Sequence, residues 1–297
     1  MFKNIQFYKV NPTWTFDILA AEEALDSARF VECGLSQEES IGWIEPRGEI
    51  NGPLIESIGY QWIAKIMFES KILPGSVVKE AVEKRFLQIE TQTGRKPGKK
   101  EKKEIKEDVR NNLLGKAFTK KSSALVWIDP TSRLLVIESG SQSRADEIIS
   151  ALVRAIEGFG VTPIQTQQSA AVSMSQWLDS QEPPVGFTAD RDCTLKSSDD
   201  SKASVRYAKH PLDIDEIRTH IANGKIPTQL AMTWEGRVSF VLTDTGSVRK
   251  IEFLDVTMDG KTDSGFDADV VIATGELVKM IPAVIESLGG EIEISVK

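Results

Sequence analysis

The sequence predicts an α+β fold, with mixed or antiparallel sheets from which a helical hairpin projects. Three observations predict it. Ala124–Asp129 and Arg133–Glu138 flank Pro130-Thr131-Ser132 and read as a β-hairpin. Thr228–Trp234, Arg237–Thr243 and Ser247–Asp255 read as a three-stranded meander whose second turn is Asp244-Thr245-Gly246. Two adjacent segments of helical periodicity are separated only by a breaker containing Gly94, Pro97 and Gly98, as in a helical hairpin.

In chain order, Phe2–Val10 alternates in part and predicts a first strand that Asn11-Pro12 ends. Thr15 stands where a cap belongs, ahead of Ile18, Ala21, Leu25 and Ala28 at helical spacing, with the helix running to about Phe30. The next residues read as a loop punctuated by Gly34, Gly42, Pro46 and Gly48. Leu54–Glu69, with its run IGYQWIAKIMFE, predicts one strand. Pro74-Gly75 opens a helix carrying Val78, Val82, Phe86 and Ile89 on one face, and Ile105, Val109 and Leu113 mark the second helix of the pair.

Beyond the β-hairpin, Ser143 and Asp146 read as a capping box for a helix carrying Ala145, Ile148, Ile149, Leu152 and Ile156, which ends at Gly158. The signal is poorer from Val161 to about Asp200, and Ser201–Ala208 reads as a strand. Asp213 and Glu216 are placed to cap a short helix with Ile214, Ile217 and Ile221, closed by Asn223-Gly224. Asp267–Ala273 reads as a further strand and Gly275–Leu288 as a last helix containing Pro282. The hairpins WIDPTSRLLVIE and VLTDTGSVRKIEF, each followed by a helix, hint at a duplicated unit. The expected organisation is a central α/β region (1–74 with 122–160), an arm (75–121) and a C-terminal α+β region (161–297).

A chain of 297 residues that is 40% hydrophobic is long and apolar enough to bury a sizeable core. Its apolar runs, such as Val270–Ala273, are too short to span a bilayer, and MFKNIQFYKV lacks the apolar stretch of a signal peptide, so a cytoplasmic protein is expected. Cys33 and Cys193 cannot build a metal cluster alone and read as buried thiols rather than a disulfide. Two histidines, His210 and His220, leave little material for imidazole catalysis or zinc. GxxxxGK[ST], GxGxxG after a strand, HExxH and CxxC are all missing. Glu38-Glu39 and Asp199-Asp200 read as solvated surface, and Trp43, Trp62 and Trp127 as core or interface residues. Neither a cofactor, a metal nor a catalytic residue is expected.

The charge distribution is the informative feature. Within Arg95–Lys106 seven basic residues (Arg95, Lys96, Lys99, Lys100, Lys102, Lys103, Lys106) stand against two acids, in a chain of net charge −8. Lys79–Lys121 holds fourteen basic and seven acidic residues, net +7, which leaves −15 for the remainder. Sorting of this kind attracts polyanions, above all nucleic-acid phosphate. A solvated helix connection is the other reading, because Lys/Glu mixtures also make plain surface. A second basic set, Arg206, Lys209 and Lys225, brackets the short Asp213–Asn223 helix, and alternation sends Arg249 and Lys250 to opposite sheet faces. Phe118, beside Lys116, Lys120 and Lys121, either folds back into its own core or meets a second copy across a two-fold axis.

The ordered set of stretches resembles the recombination-associated protein RdgC family from end to end. The matching stretches are Phe2-Lys3-Asn4, Phe30–Gly34, Gly42-Trp43 with Pro46, Ile72-Leu73-Pro74, the charged hairpin, Leu113–Phe118 and Trp127-Ile128-Asp129. The second half adds His220-Ile221 with Gly224-Lys225, Leu230–Trp234, Asp244–Ser247, Phe266–Asp269, Thr274–Leu277 and Leu288-Gly289-Gly290. The resemblance implies a horseshoe-like subunit that closes as a two-subunit ring around duplex DNA. It also implies binding largely indifferent to sequence, restraint of the recombinase RecA, action at replication forks and a nucleoid location. Carried over residue by residue, it implies an interface contact at Phe118 and DNA contacts at Lys209, His210 and Lys225. With Arg95, Lys96, Lys99, Lys100, Lys102, Lys103 and Lys116 these form the expected DNA-binding set. The competing readings are a non-catalytic interaction module whose basic arm binds an acidic partner, and a nuclease.

Overall fold

The computed structural model describes residues 1–199, 202–254 and 265–292. Among them twelve strands form one antiparallel sheet, flanked by seven helices. The elements are β1 (Ile5–Val10), α1 (Ile18–Asp26), β2 (Glu39–Ile44), β3 (Ile55–Ile58), β4 (Gln61–Lys71), α2 (Gly75–Thr93), α3 (Lys99–Leu114), β5 (Thr119–Asp129), β6 (Leu134–Glu138), α4 (Gln142–Ala155), β7 (Val161–Pro163), α5 (Ala170–Ser180), β8 (Phe187–Ser197), β9 (Ser204–Tyr207), α6 (Asp215–Ala222), β10 (Lys225–Trp234), β11 (Val238–Thr243), β12 (Val248–Phe253) and α7 (Gly265–Ser287).

The sheet runs in the order β2-β4-β5-β6-β1-β12-β11-β10-β8-β9, with β3 paired to β4 and β7 to β1. The meanders β4-β5-β6 and β12-β11-β10 therefore flank β1 symmetrically, and each leads into a helix, α4 or α7. That arrangement is the spatial counterpart of the repeated hairpin-then-helix pattern in the sequence.

Alternation along the strands divides the core in two. Ile66, Val126 and Ile137 face α1 and α4, where Ala21, Leu25, Ala145, Ile148 and Leu152 meet them. Their neighbours Ile63, Trp127 and Val136 face the other way and share a cluster with Leu230, Phe240 and Leu242 and with Met174, Ile217, Leu277 and Met280 of α5, α6 and α7. Strands covered on both faces have no polar side to present, so ALVWID reads as an unbroken apolar run. Trp43, Trp62 and Trp127 are all buried, as expected. No helix among the described residues is long and apolar enough to cross a membrane.

Several local expectations are corrected. The loop after α1 contains strand β2, fastened to the chain leaving the helix by Phe30 N–H to Trp43 O (2.9 Å) and Trp43 N–H to Ala28 O (3.0 Å). Gly42 is not punctuation there: a Cβ would collide with the Phe30 backbone. Leu54–Glu69 is two strands, because Gly59 and Tyr60 (φ +58° and +67°) form a tight two-residue turn, and a tyrosine in that region is rare. Asp17 rather than Thr15 caps α1, accepting from Leu19 N (3.0 Å) and Ala20 N (3.1 Å). Helix α4 starts after Ser141, and Asp146 accepts from Gln142 Nε2 (2.8 Å) instead of closing a box with Ser143. Ile214, which has no capping side chain, precedes α6, where Asp215 and Glu216 suit the positive end of the helix dipole. Asp267–Ala273 is helical. Its valine–valine–isoleucine run suggested a strand, but Val270, Ala273, Leu277, Met280 and Val284 are buried at helical spacing. Cys193 is buried, Cys33 only in part, and both are free. Asp200, Ser201 and Asp255 lie outside the described residues.

Helix α7 is tied to the β10–β11 turn by Arg237, whose Nε donates to Glu276 Oε2 at 2.8 Å while its second nitrogen pairs with the other carboxylate oxygen. The guanidinium holds the Glu276 carboxyl below the usual carboxylate range, against an opposing push from burial. A carboxylate whose folded pKa is depressed stabilises the fold above its unfolded value, and that contribution fades as pH falls through the folded value. Glu276→Gln should therefore lower the unfolding free energy at neutral pH by about 1–3 kcal/mol, less than a fully buried pair because Arg237 remains partly exposed. In chemical denaturation the gap between variant and wild type should narrow on acidification below the carboxylate range. A gap that widened would show that the pair is not what the carboxylate contributes.

Candidate nucleic-acid interface

The arm is built from α2 and α3, inserted between β4 and β5. At 19 residues α2 is roughly 28 Å long at 1.5 Å per residue. Gly94, at φ +71°, ends α2 with its N–H on Glu90 O (2.8 Å), and Gly98 opens α3. The tip is fastened by Glu101, which accepts from Gly98 N (3.2 Å) and from Arg95 Nη1 (2.9 Å). Arg95 and the Gly98 amide accordingly hold the Glu101 carboxyl below its ordinary range.

Lys99, Lys100, Lys102 and Lys103 lie in the first turns of α3, and all four are exposed. A helix N-terminus carries partial positive charge, so cations are disfavoured there and anions favoured. Glu101 is the one acid of the first turn. Arg95, Lys96 and Lys100 have carboxylate partners in Glu101, Glu90 and Glu104, the last two at 3.9 and 4.0 Å. Lys99, Lys102, Lys103 and Lys106 have none within ion-pair distance among the described residues, and Lys102 rests over the Phe86 ring at 5.8 Å. The tip presents an excess of unneutralised cations on a polarised helix end.

The arm root is fixed to the sheet. The β4–β5 ladder runs through ten residue pairs from Trp62–Ile128 to Lys71–Thr119, and Ile72 N–H to Phe118 O (2.7 Å) extends it by one. Lys71 Nζ donates to Gly34 O (2.7 Å) and Leu35 O (2.8 Å). Phe118 stands out of this root 85% exposed, so it does not fold back into its own core; Ile72, bonded to its carbonyl, and Leu35, whose carbonyl accepts from Lys71, are exposed too. Lys116 is exposed on the same connection. Beside the root, Glu69 accepts from the Cys33 N–H (2.6 Å), which draws its pKa down.

The second basic set lies across the sheet. Lys209 has a left-handed backbone (φ +54°), with its N–H on Asp192 Oδ1 (3.2 Å) and the His210 N–H on Arg191 O (3.0 Å). His210 and His220 both flank the Tyr207 ring, and Lys225 Nζ lies 3.2 Å from His220 Nδ1. The structure thus brings His210 and His220 to the Tyr207 ring, with Lys209 adjoining His210 in the chain and Lys225 against His220. Arg206, expected with them, lines a small cleft together with Asp192, Tyr207, Gln229, Val241 and Lys250. Lys250 does not simply oppose Arg249. It has φ +50°, and pairing skips from Val241–Arg249 to Ser239–Glu252, a bulge that breaks the alternation. Six strand spacings separate β5, at the arm root, from β8, roughly 29 Å along the hydrogen-bonding direction.

Sequence reasoning passed over Tyr207, gave Glu216 only a capping role and gave His220 no role at the site. Tyr207 is buried, its hydroxyl without a well-formed hydrogen bond among the described residues although it faces the Glu216 carboxylate, and burial first, then Glu216, push the phenol up to about 12. The one available signal was the spacing of Glu216, His220 and Lys225, four and five residues apart, which puts the first two on one helix face. Burial raises the Cys33 thiol, and raises Cys193 to about 12, so neither is a ready thiolate. No group of three or more His, Cys, Asp or Glu residues among those described could hold a metal ion.

A family model described as "Putative exonuclease, RdgC" matches residues 1–291. The chain is 39% identical over 300 residues to the recombination-associated protein RdgC of Dechloromonas aromatica, covering 98% of each chain. It is 40% identical over 298 residues to the protein of the same name from Bordetella pertussis, again covering 98% of each. With the namesake from Janthinobacterium it shares 37% over 300 residues, 98% of this chain and 99% of the relative.

An 85% exposed phenylalanine contributes little to the fold of one subunit. Phe118→Ala should shift the unfolding free energy of the isolated subunit by no more than about 0.5 kcal/mol, the usual range for surface substitutions. Thermal denaturation at low protein concentration checks this. A loss of several kcal/mol would return Phe118 to the core.

Proposed function

This chain belongs to the RdgC family, and on that premise we propose that it is a sequence-independent duplex-DNA-binding protein that closes as a homodimeric ring and limits RecA-dependent recombination around replication forks. One observation carries the reading: the tip of a braced arm concentrates cations at the positive end of a helix, in a chain that is otherwise acidic. The acidic remainder repels DNA, so binding is confined to the basic surfaces. Lysines suit a protein that engages any sequence, because a flexible point charge follows the phosphate backbone without demanding base geometry. The curated relatives' name supports a role in recombination.

In this reading Lys99, Lys102, Lys103 and Lys106, free of ion pairs among the described residues, are the first to meet phosphate. Arg95, Lys96, Lys100 and Lys116 add to the field, and Lys209, His210 and Lys225 form a second point of contact. Phe118 meets its own copy at the two-fold interface, where an exposed aromatic ring finds burial that one subunit does not offer. A ring that holds DNA by enclosure needs no catalysis. Exclusion of RecA then follows from occupancy of the duplex.

Binding to labelled duplexes of unrelated sequence, measured across a salt series, tests the reading. Log affinity should fall linearly with log salt by about 0.9 per neutralised phosphate, and Lys99→Gln, Lys102→Gln and Lys103→Gln should each reduce that slope by up to about 0.9. Affinity independent of salt, or an acidic polypeptide competing where duplex DNA does not, would favour the acidic-partner module instead. Phe118→Ala should reduce the dimer mass in solution and shorten residence on closed circular duplex, leaving residence on linear duplex nearly unchanged. Shortening of the DNA on incubation with magnesium would support the exonuclease that the family model's description names.

A further inference from the structure

We propose that His220 positions Lys225 and that protonation of the ring releases the lysine toward phosphate, so that DNA binding at this end of the sheet is stronger with the ring protonated. The inference rests on the DNA-binding reading above. Its basis is that both histidines of the chain lie on one ring: His210 and His220 stand 5.9 and 6.5 Å from Tyr207, centroid to centroid.

His220 sits in the last turn of α6. Gly224, at φ +83°, reverses the chain so that β10 begins at Lys225, back beneath the histidine. Any other residue would be strained in that turn. Lys225 Nζ is then 3.2 Å from His220 Nδ1. An ammonium group only donates, so the contact requires Nδ1 to be an acceptor, which places the proton of the neutral ring on Nε2. Nε2 faces Glu216 Oε1 at 3.6 Å. The half-buried imidazole therefore lies between a cation that depends on its lone pair and a carboxylate that welcomes its charge.

The surroundings leave few other charges in play. On α6, Arg218 is turned away to Asp215 (3.6 Å) and to the Asp179 carbonyl of α5 (3.0 Å). From β9 comes the Tyr207 phenol, and behind it the buried Cys193 thiol of β8. From the β9–α6 connection comes His210, its Nδ1 on Pro211 O at 2.8 Å. When His220 takes a proton, Nδ1 ceases to accept and two positive groups face each other at the same short distance. The lysine, on a stem of rotatable bonds, moves out and the imidazolium stays with Glu216. Free of its acceptor, the ammonium gains a phosphate contact.

Duplex binding across a salt series, at about pH 8 and about pH 5.5 on either side of the imidazole range, tests this. The wild-type slope should steepen by about 0.9 at the lower pH, one additional phosphate. His220→Gln, whose amide oxygen still accepts from Lys225 but does not titrate, should show the higher-pH slope at both values. These proteins are compared in a His210→Gln background, which removes the other imidazole of the DNA-contacting set; there the step should persist, and Lys225→Gln should abolish it. A step that survives in Lys225→Gln, or vanishes in His210→Gln, overturns the proposal, because imidazolium charge alone then accounts for it. A salt-dependent but pH-independent wild type sinks this inference and leaves the DNA-binding reading standing, whereas no binding at either pH sinks both. Without DNA, ring nitrogen shifts from NMR should show neutral His220 protonated on Nε2. A neutral ring protonated on Nδ1 would exclude the Lys225 contact.

Discussion

The β4–β5 ladder is the constraint on which the rest depends. Its ten paired residues, lengthened by the Ile72–Phe118 hydrogen bond, form the longest uninterrupted register in the sheet, and the arm is an insertion at its open end. A helical pair on two loose tethers would sweep a wide volume, and ordering it against a ligand would cost conformational entropy. Here both tethers leave from adjacent hydrogen-bonded strands. Lys71 also ties the root to the chain entering β2 through Gly34 and Leu35. The same register fixes Phe118 and Lys116 where the arm begins. Backbone pairing thus sets where the basic tip stands and where the exposed aromatic ring points.

Against that rigid root, the arm places its charges on terms unfavourable to itself. Lysines in the first turns of α3 oppose the helix dipole, each at up to about 1 kcal/mol when exposed. Glu101 offsets part of this by taking both the Gly98 N–H and Arg95. The unpaired lysines keep the remaining potential available to an anion. The second basic set follows a different logic. Lys225 Nζ sits 3.2 Å from His220 Nδ1 and Lys209 is set by a left-handed backbone, so those cations are placed by particular neighbours rather than by a helix end.

How much of this was legible in the sequence varies with the range of the interactions. The arm was readable because its causes are local: four-residue apolar spacing, a glycine-and-proline breaker and a run of lysines. The hairpin around Pro130 and the final meander were readable for the same reason. Strand β2 was not, because the chain leaving α1 holds it and Gly42 looks like a breaker until the Phe30 backbone is seen against it. Tyr60 hid a turn, since its left-handed conformation runs against its propensity. The start of α7 was misread because valine and isoleucine favour strands until the face they bury is known. At the candidate site, the lysines were visible as charge, but the placing of His210 and His220 at the Tyr207 ring, with Lys225 against His220, depends on β9, α6 and β10 meeting in space.

The meeting of the two halves of the sheet follows from the same bookkeeping of contacts. Strand β1 pairs with β6 over five residues but with β12 at one registered pair, Ile5–Val248. Main-chain bonds alone would make this the weakest join in the sheet. Helix α7 crosses it as a splint: Val270, Ala273, Leu277 and Met280 pack in the cluster that contains Ile63 and Trp127 from one half and Leu230 and Leu242 from the other. Its first turn is held to the first half by Arg47, which stacks over Phe266 at 5.2 Å, pairs with Asp267 and bonds Glu56 at 2.6 Å. Its middle is held to the second half by Arg237 on Glu276. The arm root and the Tyr207 cluster stand on opposite sides of this join. Their separation is therefore set not only by the hydrogen bonds of the sheet but also by one apolar helix and the two arginines that hold its first turn and its middle.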